Sequence, residues 1–263
     1  MRRGVSQVVT TVILTSILLT TIGVVVFYAT SLIDAHRQSM EYEAGKNLMV
    51  YAAMALEQVA LGTGGAREVR FTLSTAGLNF VDSPLGKLEV YINGQKVLEH
   101  RPPAVVLKGG PLVTTVFRML RPEAEVNSEA ELRRLIVEAG EPMVIVYESF
   151  SREALVTMIA PRVRVNYLGV FRVAREPGVF VPYNFFEVSY INVTFGRLGG
   201  SGHIPLVMRN VGVRVVEYLF QTKSIEVRCV LDGQEETITL EGSSGAEGSV
   251  VVVRVADVIV STG

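Results

Sequence analysis

The feature that most constrains this chain is an uncharged stretch near its N-terminus, which runs from Gly4 to Ile33. A bilayer core of about 30 Å is crossed by about 20 apolar helical residues, so the stretch is long enough to span a membrane. It is rich in Val, Ile, Leu and Thr. β-Branched residues are mediocre helix formers in water, but in lipid the helix satisfies its own backbone. The sequence therefore predicts a membrane-spanning helix over residues 5–33.

The charges on either side of this stretch predict its orientation. Arg2 and Arg3 precede it, and Asp34 is the first charged residue that follows. Because positive residues are retained on the cytoplasmic side, we expect a cytoplasmic N-terminus and an extracytoplasmic head. The run is longer than the roughly 7–15 apolar residues of a cleaved secretory signal. We therefore expect a single-pass protein of the cell membrane.

The composition restricts the function classes. Apolar residues make up 49% of the 263 residues and charged residues 19%, which favours a folded head over a disordered one. A net charge of −1 offers no broad basic field, so nucleic acid is not an expected partner. The single cysteine, Cys229, excludes an intramolecular disulfide. It lies between Val227 and Leu231 in an alternating segment, which predicts a buried apolar role.

The first residues also follow a recognisable order. A short basic leader, Arg2-Arg3-Gly4, lies directly before the hydrophobic segment, which opens with Val5-Ser6-Gln7-Val8-Val9. This order resembles the class III signal of archaeal type IV pilins and archaellins. Gln7 takes the place of a proline that is usual in the family. The resemblance covers residues 1–35 of this chain.

The resemblance implies a route of processing and assembly. A prepilin peptidase would cut between Gly4 and Val5, so residues 1–4 would form the leader and residues 5–61 a long N-terminal helix. Cleavage would remove Arg2 and Arg3, and the helix would then enter a filament core. The implied partners are other copies or other pilin-like subunits, an assembly ATPase and a membrane platform. An uncleaved membrane anchor explains the hydropathy and the charges equally well and stays an alternative.

Small residues follow a helical spacing within the apolar stretch. Ser16, Thr20 and Gly23 lie at positions i, i+4 and i+7. Small side chains allow two helices to approach closely in a membrane or a filament core. They predict a helix-packing face, although Thr and Gly are also common in membrane helices generally.

Residues 34–61 continue the helical pattern beyond the membrane. We expect their apolar stripe to dock under the head; its members are Met40, Ala44, Leu48, Tyr51, Ala55 and Val59. The part from Leu48 to Leu56 is apolar on nearly every side, which predicts complete burial. Gly45 costs about 1 kcal/mol relative to Ala in a helix and marks a candidate bend.

Residues 66–263 show mainly strand patterns. Short alternating segments separated by turn signals predict an antiparallel β-sandwich, so the expected fold class is α+β. Asn93-Gly94 predicts a tight hairpin, and Leu112–Leu120 reads as a strand. A capping box at residues 128–131 predicts the start of one helix that carries Leu132, Leu135 and Ile136. Pro177-Gly178 and Pro182 mark a candidate division into two sub-sandwiches near residues 177–182.

Few residues suggest a chemical site. Asn192-Val193-Thr194 is an N-glycosylation sequon, although Asn192 lies in a strand pattern. The glycine-rich segment at residues 196–202 lacks the Lys-Ser/Thr ending of a phosphate-binding loop. The histidines lack metal-ligand spacing, and no catalytic order stands out. We expect neither an enzyme nor a cofactor.

Two function classes follow. The first is a structural subunit, minor or specialised, of an archaeal cell-surface filament or pseudopilus. The second is a signal-anchored ectodomain that does not polymerise and binds the surface layer, another envelope protein or a solute. The two differ in whether the leader is removed.

The resemblance predicts the N-terminus of the mature protein. We expect protein isolated from the native cell envelope to begin at Val5, as measured by N-terminal sequencing. A chain that begins at Met1 or Arg2 would contradict prepilin-type processing and leave the uncleaved anchor.

Overall fold

The computed structural model confirms a long apolar N-terminal helix followed by a β-rich head of mostly antiparallel sheets. It describes residues 2–62, 65–123, 129–176 and 179–263. Side chains are described for residues 9–62, 65–123, 131–175 and 179–263. Of the predicted capping box, residue 128 lies outside the described residues, as do residues 177 and 178 of the candidate division.

The helices are α1 (Arg2–Leu61) and α2 (Glu129–Arg133). The strands are β1 (Ala66–Thr72), β2 (Gly77–Val81), β3 (Leu88–Ile92), β4 (Gln95–His100), β5 (Ala104–Lys108), β6 (Arg118–Arg121), β7 (Ile136–Val137), β8 (Ile145–Phe150), β9 (Ala154–Ile159), β10 (Val163–Glu176), β11 (Val179–Phe195), β12 (His203–Phe220), β13 (Ile225–Leu231), β14 (Gln234–Leu240) and β15 (Gly248–Ser261).

The strands form three sheets. The central sheet has the order β1-β12-β15-β11-β10-β7, the outer sheet β14-β13-β3-β4 and the helix-side sheet β2-β5-β9-β8-β6. All pairs are antiparallel except β11 with β15 and β10 with β7. The mostly antiparallel pairing agrees with the alternating sequence pattern, but the central strands β10, β11, β12 and β15, with 14, 17, 18 and 14 residues, are longer than the short strands expected.

The central sheet is buried on both faces, as β15 illustrates. Val258 and Val260 point into a core shared with α1 and the helix-side sheet. Val251 and Val253 point to the opposite face, into a core shared with the outer sheet. Cys229 of β13 is fully buried in that second core, which confirms its predicted apolar role.

The second half of α1 lies between the central and the helix-side sheets, and β1 runs back along it. Glu41 contacts the residues that follow β1, whereas Gly65, which precedes β1, lies beside Asn210 at the end of α1. Residues 41–61 of a helix and residues 65–74 of a strand both span about 30 Å. β12, antiparallel to β1, therefore runs in the direction of α1 and continues past Leu61 to Phe220.

The predicted Asn93-Gly94 hairpin is confirmed, and a second turn has the same backbone conformation. Asn93 and Gly94 have φ angles of 47° and 80°, as a two-residue hairpin of this type requires. Asp232 and Gly233, between β13 and β14, have φ angles of 47° and 82°. Both pairs join neighbouring strands of the outer sheet.

Three local predictions are wrong. Residues 112–117 are not a strand, because the Leu112 amide donates to the Gln38 side chain and the Val113 amide to the Gly110 carbonyl. α2 ends at Arg133, and Ile136 lies in β7 instead of on a helix. Pro182 does not lie between strands but inside β11, where it is paired with Arg172 of β10.

Gly45 lies within continuous helix, at the closest approach of α1 to the helix-side sheet. A Cβ atom at this position would lie 2.6 Å from Cδ2 of Leu107, which is fully buried. The glycine therefore serves close packing, since any side chain would displace Leu107.

We predict that Gly45→Val destabilises the protein by about 1–3 kcal/mol, the usual cost of overpacking a core. Unfolding of the full chain in detergent by chemical denaturation measures this free energy. Ser39→Val introduces the same β-branched residue at an exposed position of the same helix and is the control. Equal effects of the two substitutions would contradict the close packing at Gly45.

Candidate assembly helix and its docking contacts

The membrane-proximal part of α1 presents an apolar surface in all directions. Among the described residues, Val9–Leu61 belongs to the one helix that is long and apolar enough to cross a membrane. Hydroxyl groups on it donate hydrogen bonds to carbonyls one turn earlier: Thr15 to Thr11, and Thr20 to Ser16, both at 2.8 Å. This bonding hides polar groups that lipid would not solvate.

The predicted processing residues Arg2, Arg3, Gly4 and Val5 lie within the helical backbone of α1. Their side chains are outside the described residues, so cleavage between Gly4 and Val5 stays a prediction.

The predicted packing residues Ser16, Thr20 and Gly23 are exposed on the same segment. An added Cβ atom at Gly23 would meet nothing within 4 Å, so this part of the helix is open to a neighbour. The role of these residues in helix packing stays a prediction.

Docking of the second half of α1 depends on a carboxylate that the sequence analysis missed. Glu41 Oε1 accepts hydrogen bonds from the backbone amides of Ser74, Thr75 and Ala76, at 2.6, 2.9 and 3.0 Å. Its Oε2 accepts from the hydroxyls of Ser74 and Thr75. Partial burial opposes ionisation, but these hydrogen bonds outweigh it and lower the pKa of Glu41 from 4.5 to about 2.

Two neighbours of Glu41 hold the same end of the docking segment. The side chain of Gln38 accepts a hydrogen bond from the Leu112 amide at 3.0 Å. Arg37 donates to the Ser74 hydroxyl at 3.3 Å. The N-terminal end of the docking segment is thus bound to two separate loops of the head.

A second carboxylate, Glu57, is buried in the docking interface, about one turn before the end of α1. It accepts hydrogen bonds from the amides of Met143 and Val144 and forms an ion pair with Arg121. A buried carboxylate is tolerated only when it is paired and hydrogen-bonded in this way. Glu57 is the sole charged residue between Leu48 and Leu61, and this lone charge in an apolar run is the sequence feature that could have indicated a buried, paired carboxylate.

The end of α1 is capped by Asn210, a buried residue of β12. Its Nδ2 donates to the carbonyls of Val59 and Gly62, at 3.0 and 3.1 Å. Its Oδ1 accepts from the Gly212 amide at a bulge in β12. Helix ends leave carbonyls without partners, and here the sheet supplies the donor from outside the helix.

α1 docks to the head through a different face from the one that the sequence predicted. The buried positions are Tyr42, Gly45, Met49, Ala52, Ala53, Leu56, Glu57, Val59 and Ala60, together with Ala55. Of the predicted stripe, Ala55 and Val59 are buried, Leu48 is half-buried and Met40, Ala44 and Tyr51 are exposed. Complete burial from Leu48 to Leu56 is also wrong, since Tyr51 and Met54 are 51% and 46% exposed.

Asn192 lies in β11 with its side chain engaged. Its amide nitrogen donates to Asp257 Oδ1, and Asp257 also binds Arg214 at 2.8 Å. Glycosylation would have to break the bond to Asp257. Its occurrence at Asn192 stays a prediction.

The histidines lie apart. His100 Nδ1 is 2.8 Å from the Tyr190 hydroxyl, His203 Nδ1 is 3.2 Å from Thr72 Oγ1, and His36 is exposed on α1. The described part of the chain holds no group of three or more His, Cys, Asp or Glu residues arranged to bind a metal.

Comparisons with known protein families, with curated proteins and with solved structures find no match to this chain.

The pKa of Glu41 predicts an acid-sensitive attachment of α1. Because folding lowers this pKa, the stabilisation is complete above pH 4.5 and is lost as the pH falls towards 2. We expect Glu41→Gln to cost about 1 kcal/mol at neutral pH, after allowance for solvent screening, and to cost progressively less below pH 4.5.

The measurement is the free energy of unfolding of the full chain in detergent as a function of pH. Glu43→Gln is the control, because Glu43 is exposed and pairs with Lys46 alone. A Glu41→Gln effect that does not change between neutral and acidic pH would contradict the role of the ionised carboxylate.

Proposed function

We propose that this chain is a type IV pilin-like structural subunit, minor or specialised, of an archaeal cell-surface filament or pseudopilus. It assembles through the hydrophobic helix α1, and the β-rich head faces the surroundings. The chain is inserted with its N-terminus in the cytoplasm and its head outside, because Arg2 and Arg3 precede the apolar stretch.

The observation that supports the proposal most is the continuity of α1. One helix extends from the apolar stretch, through Ile33 and Asp34, into the core of the head without a break. A flexible stalk would leave head and membrane segment independent. A docked continuous helix instead carries the head with it when the apolar part is drawn into an assembly.

The uncovered surface of α1 is the second support. Its apolar side chains between Val9 and Ile33 are exposed all round, and exposed apolar residues continue as far as Leu61. Lipid covers the first part in the membrane, but only protein neighbours would cover the part beyond it. Removal of residues 1–4 by a prepilin peptidase would free the helix for assembly by an ATPase and a membrane platform, as the resemblance implies.

The alternative is an anchored ectodomain that binds the surface layer, another envelope protein or a solute. A groove of about 600 Å³ at the end of the central sheet far from α1 favours it. Apolar side chains such as Val173 and Leu219 line this groove together with the charged Arg175 and Glu247, and Leu219 is 68% exposed. Grooves of this size that combine apolar and polar groups are typical of ligand-binding sites.

The partition of the protein in native cells separates the two functions. We expect the wild-type chain in the filament fraction sheared from the cell surface, and Gly4→Leu in the membrane fraction, since the leader would stay attached. Gly199→Leu, in an exposed loop with open space around the glycine, is the matched control and should behave like the wild type. Wild-type protein confined to the membrane fraction would favour the anchored ectodomain.

A further inference from the structure

The exposed face of α1 beyond the membrane has a regular spacing. Apart from Glu43, the exposed residues between Met40 and Leu61 follow one another at alternating steps of four and three: Met40, Ala44, Asn47, Tyr51, Met54, Gln58 and Leu61. We call this set the seam. Steps of four and three define the heptad positions at which two helices meet in a coiled coil.

The seam lies opposite the docking face and has no cover. Met40 is 70% exposed, Tyr51 51% and Leu61 44%. All three lie on the part of α1 beyond the membrane segment, where water and not lipid surrounds the helix. The docking residues Tyr42, Met49, Ala52 and Leu56 occupy the other side of the helix. The head therefore leaves a strip of apolar side chains facing water along about 30 Å of helix.

The seam carries no charge but includes two amides. Asn47 and Gln58 are exposed, and neither is needed to hold the head. An amide at a coiled-coil core position bonds well only to an amide on the partner helix, so it selects one register. When two copies align in register, Asn47 faces Asn47 and Gln58 faces Gln58. A shift of one or more heptads opposes at least one of these amides to apolar side chains.

The same repeat continues into the membrane segment. Ile33, Val26, Leu19 and Val12 extend the series of Met40 and Met54 at seven-residue steps. The alternate series of Ala44 and Tyr51 is interrupted by Arg37, which binds the Ser74 hydroxyl of its own head, and resumes at residues 30, 23 and 16, which are Thr, Gly and Ser. A sustained seven-residue repeat favours a left-handed supercoil, and small residues allow close approach within lipid.

We propose that two copies of this chain pair through the seam as a parallel, in-register coiled coil of α1. Parallel orientation rests on the membrane insertion in the proposed function, because two chains inserted from the same side point the same way. It does not rest on polymerisation. The heads lie on the far side of each helix from the seam, so they diverge and leave the contact free.

Cysteine cross-linking of the full chain in lipid vesicles tests the pairing. Met54→Cys places a thiol on the seam, and oxidation should link most molecules into a disulfide dimer. The native Cys229 is fully buried, and burial raises its pKa to about 12, so it should not react. Ser39→Cys, exposed on the same helix but off the seam, is the matched control and should stay monomeric. Equal cross-linking of the two variants would overturn the proposal.

Two further variants test the register. A mixture of Met40→Cys and Met54→Cys chains should give only the two homodimers, whereas a mixed dimer would reveal a staggered pairing and overturn the in-register contact. Asn47→Asp, added to Met54→Cys, should weaken the dimer by roughly tenfold or more, because two carboxylates would face each other. An unchanged yield of dimer would contradict the role of Asn47.

Discussion

The burial of one face of α1 between the central and the helix-side sheets is the interaction on which the remaining structure depends. Small residues allow close packing at this contact, because Gly45, Ala52 and Ala53 let the sheets approach the helix backbone. Apolar area removed from water stabilises the contact by about 25 cal/mol per Å². Because the head covers this face of α1, the opposite face is the one left exposed to neighbouring chains.

Polar contacts at both ends of the docking segment fix the position of the helix. Glu41 binds the loop after β1 at one end; at the other, Glu57 binds Arg121 and the residues just before the helix-side strand β8, and Asn210 of β12 caps the helix. Apolar packing alone would allow the helix to rotate and slide against the sheets. Hydrogen bonds are directional, and a buried polar group that loses its partner destabilises the fold. Together they join the apolar N-terminal segment to the head through one continuous helix, which a subunit that assembles through its helix requires.

The sequence predicted well what hydropathy and turn chemistry decide locally. The long helix, the β-rich head, the Asn93-Gly94 turn and the burial of Cys229 are of this kind. It did not predict which face of α1 docks, because the part around Leu48–Leu56 is apolar on nearly every side and its periodicity allows several stripes. The partners of Glu41 and Asn210 are distant in sequence, and only the tertiary fold brings them together. Of these docking groups, only Glu57 had a sequence signal, a lone charge in an apolar run.

In this interpretation, one face of α1 is held by the chain's own head and the other face is free for other subunits. Electron cryo-microscopy of filaments sheared from native cells tests this most directly, since it shows both faces in one map. The account predicts a core of α1 helices, with the heads outside and the face from Met40 to Leu61 covered by neighbouring chains. Filaments that lack this chain, or a head detached from the helix near Glu41, would contradict it.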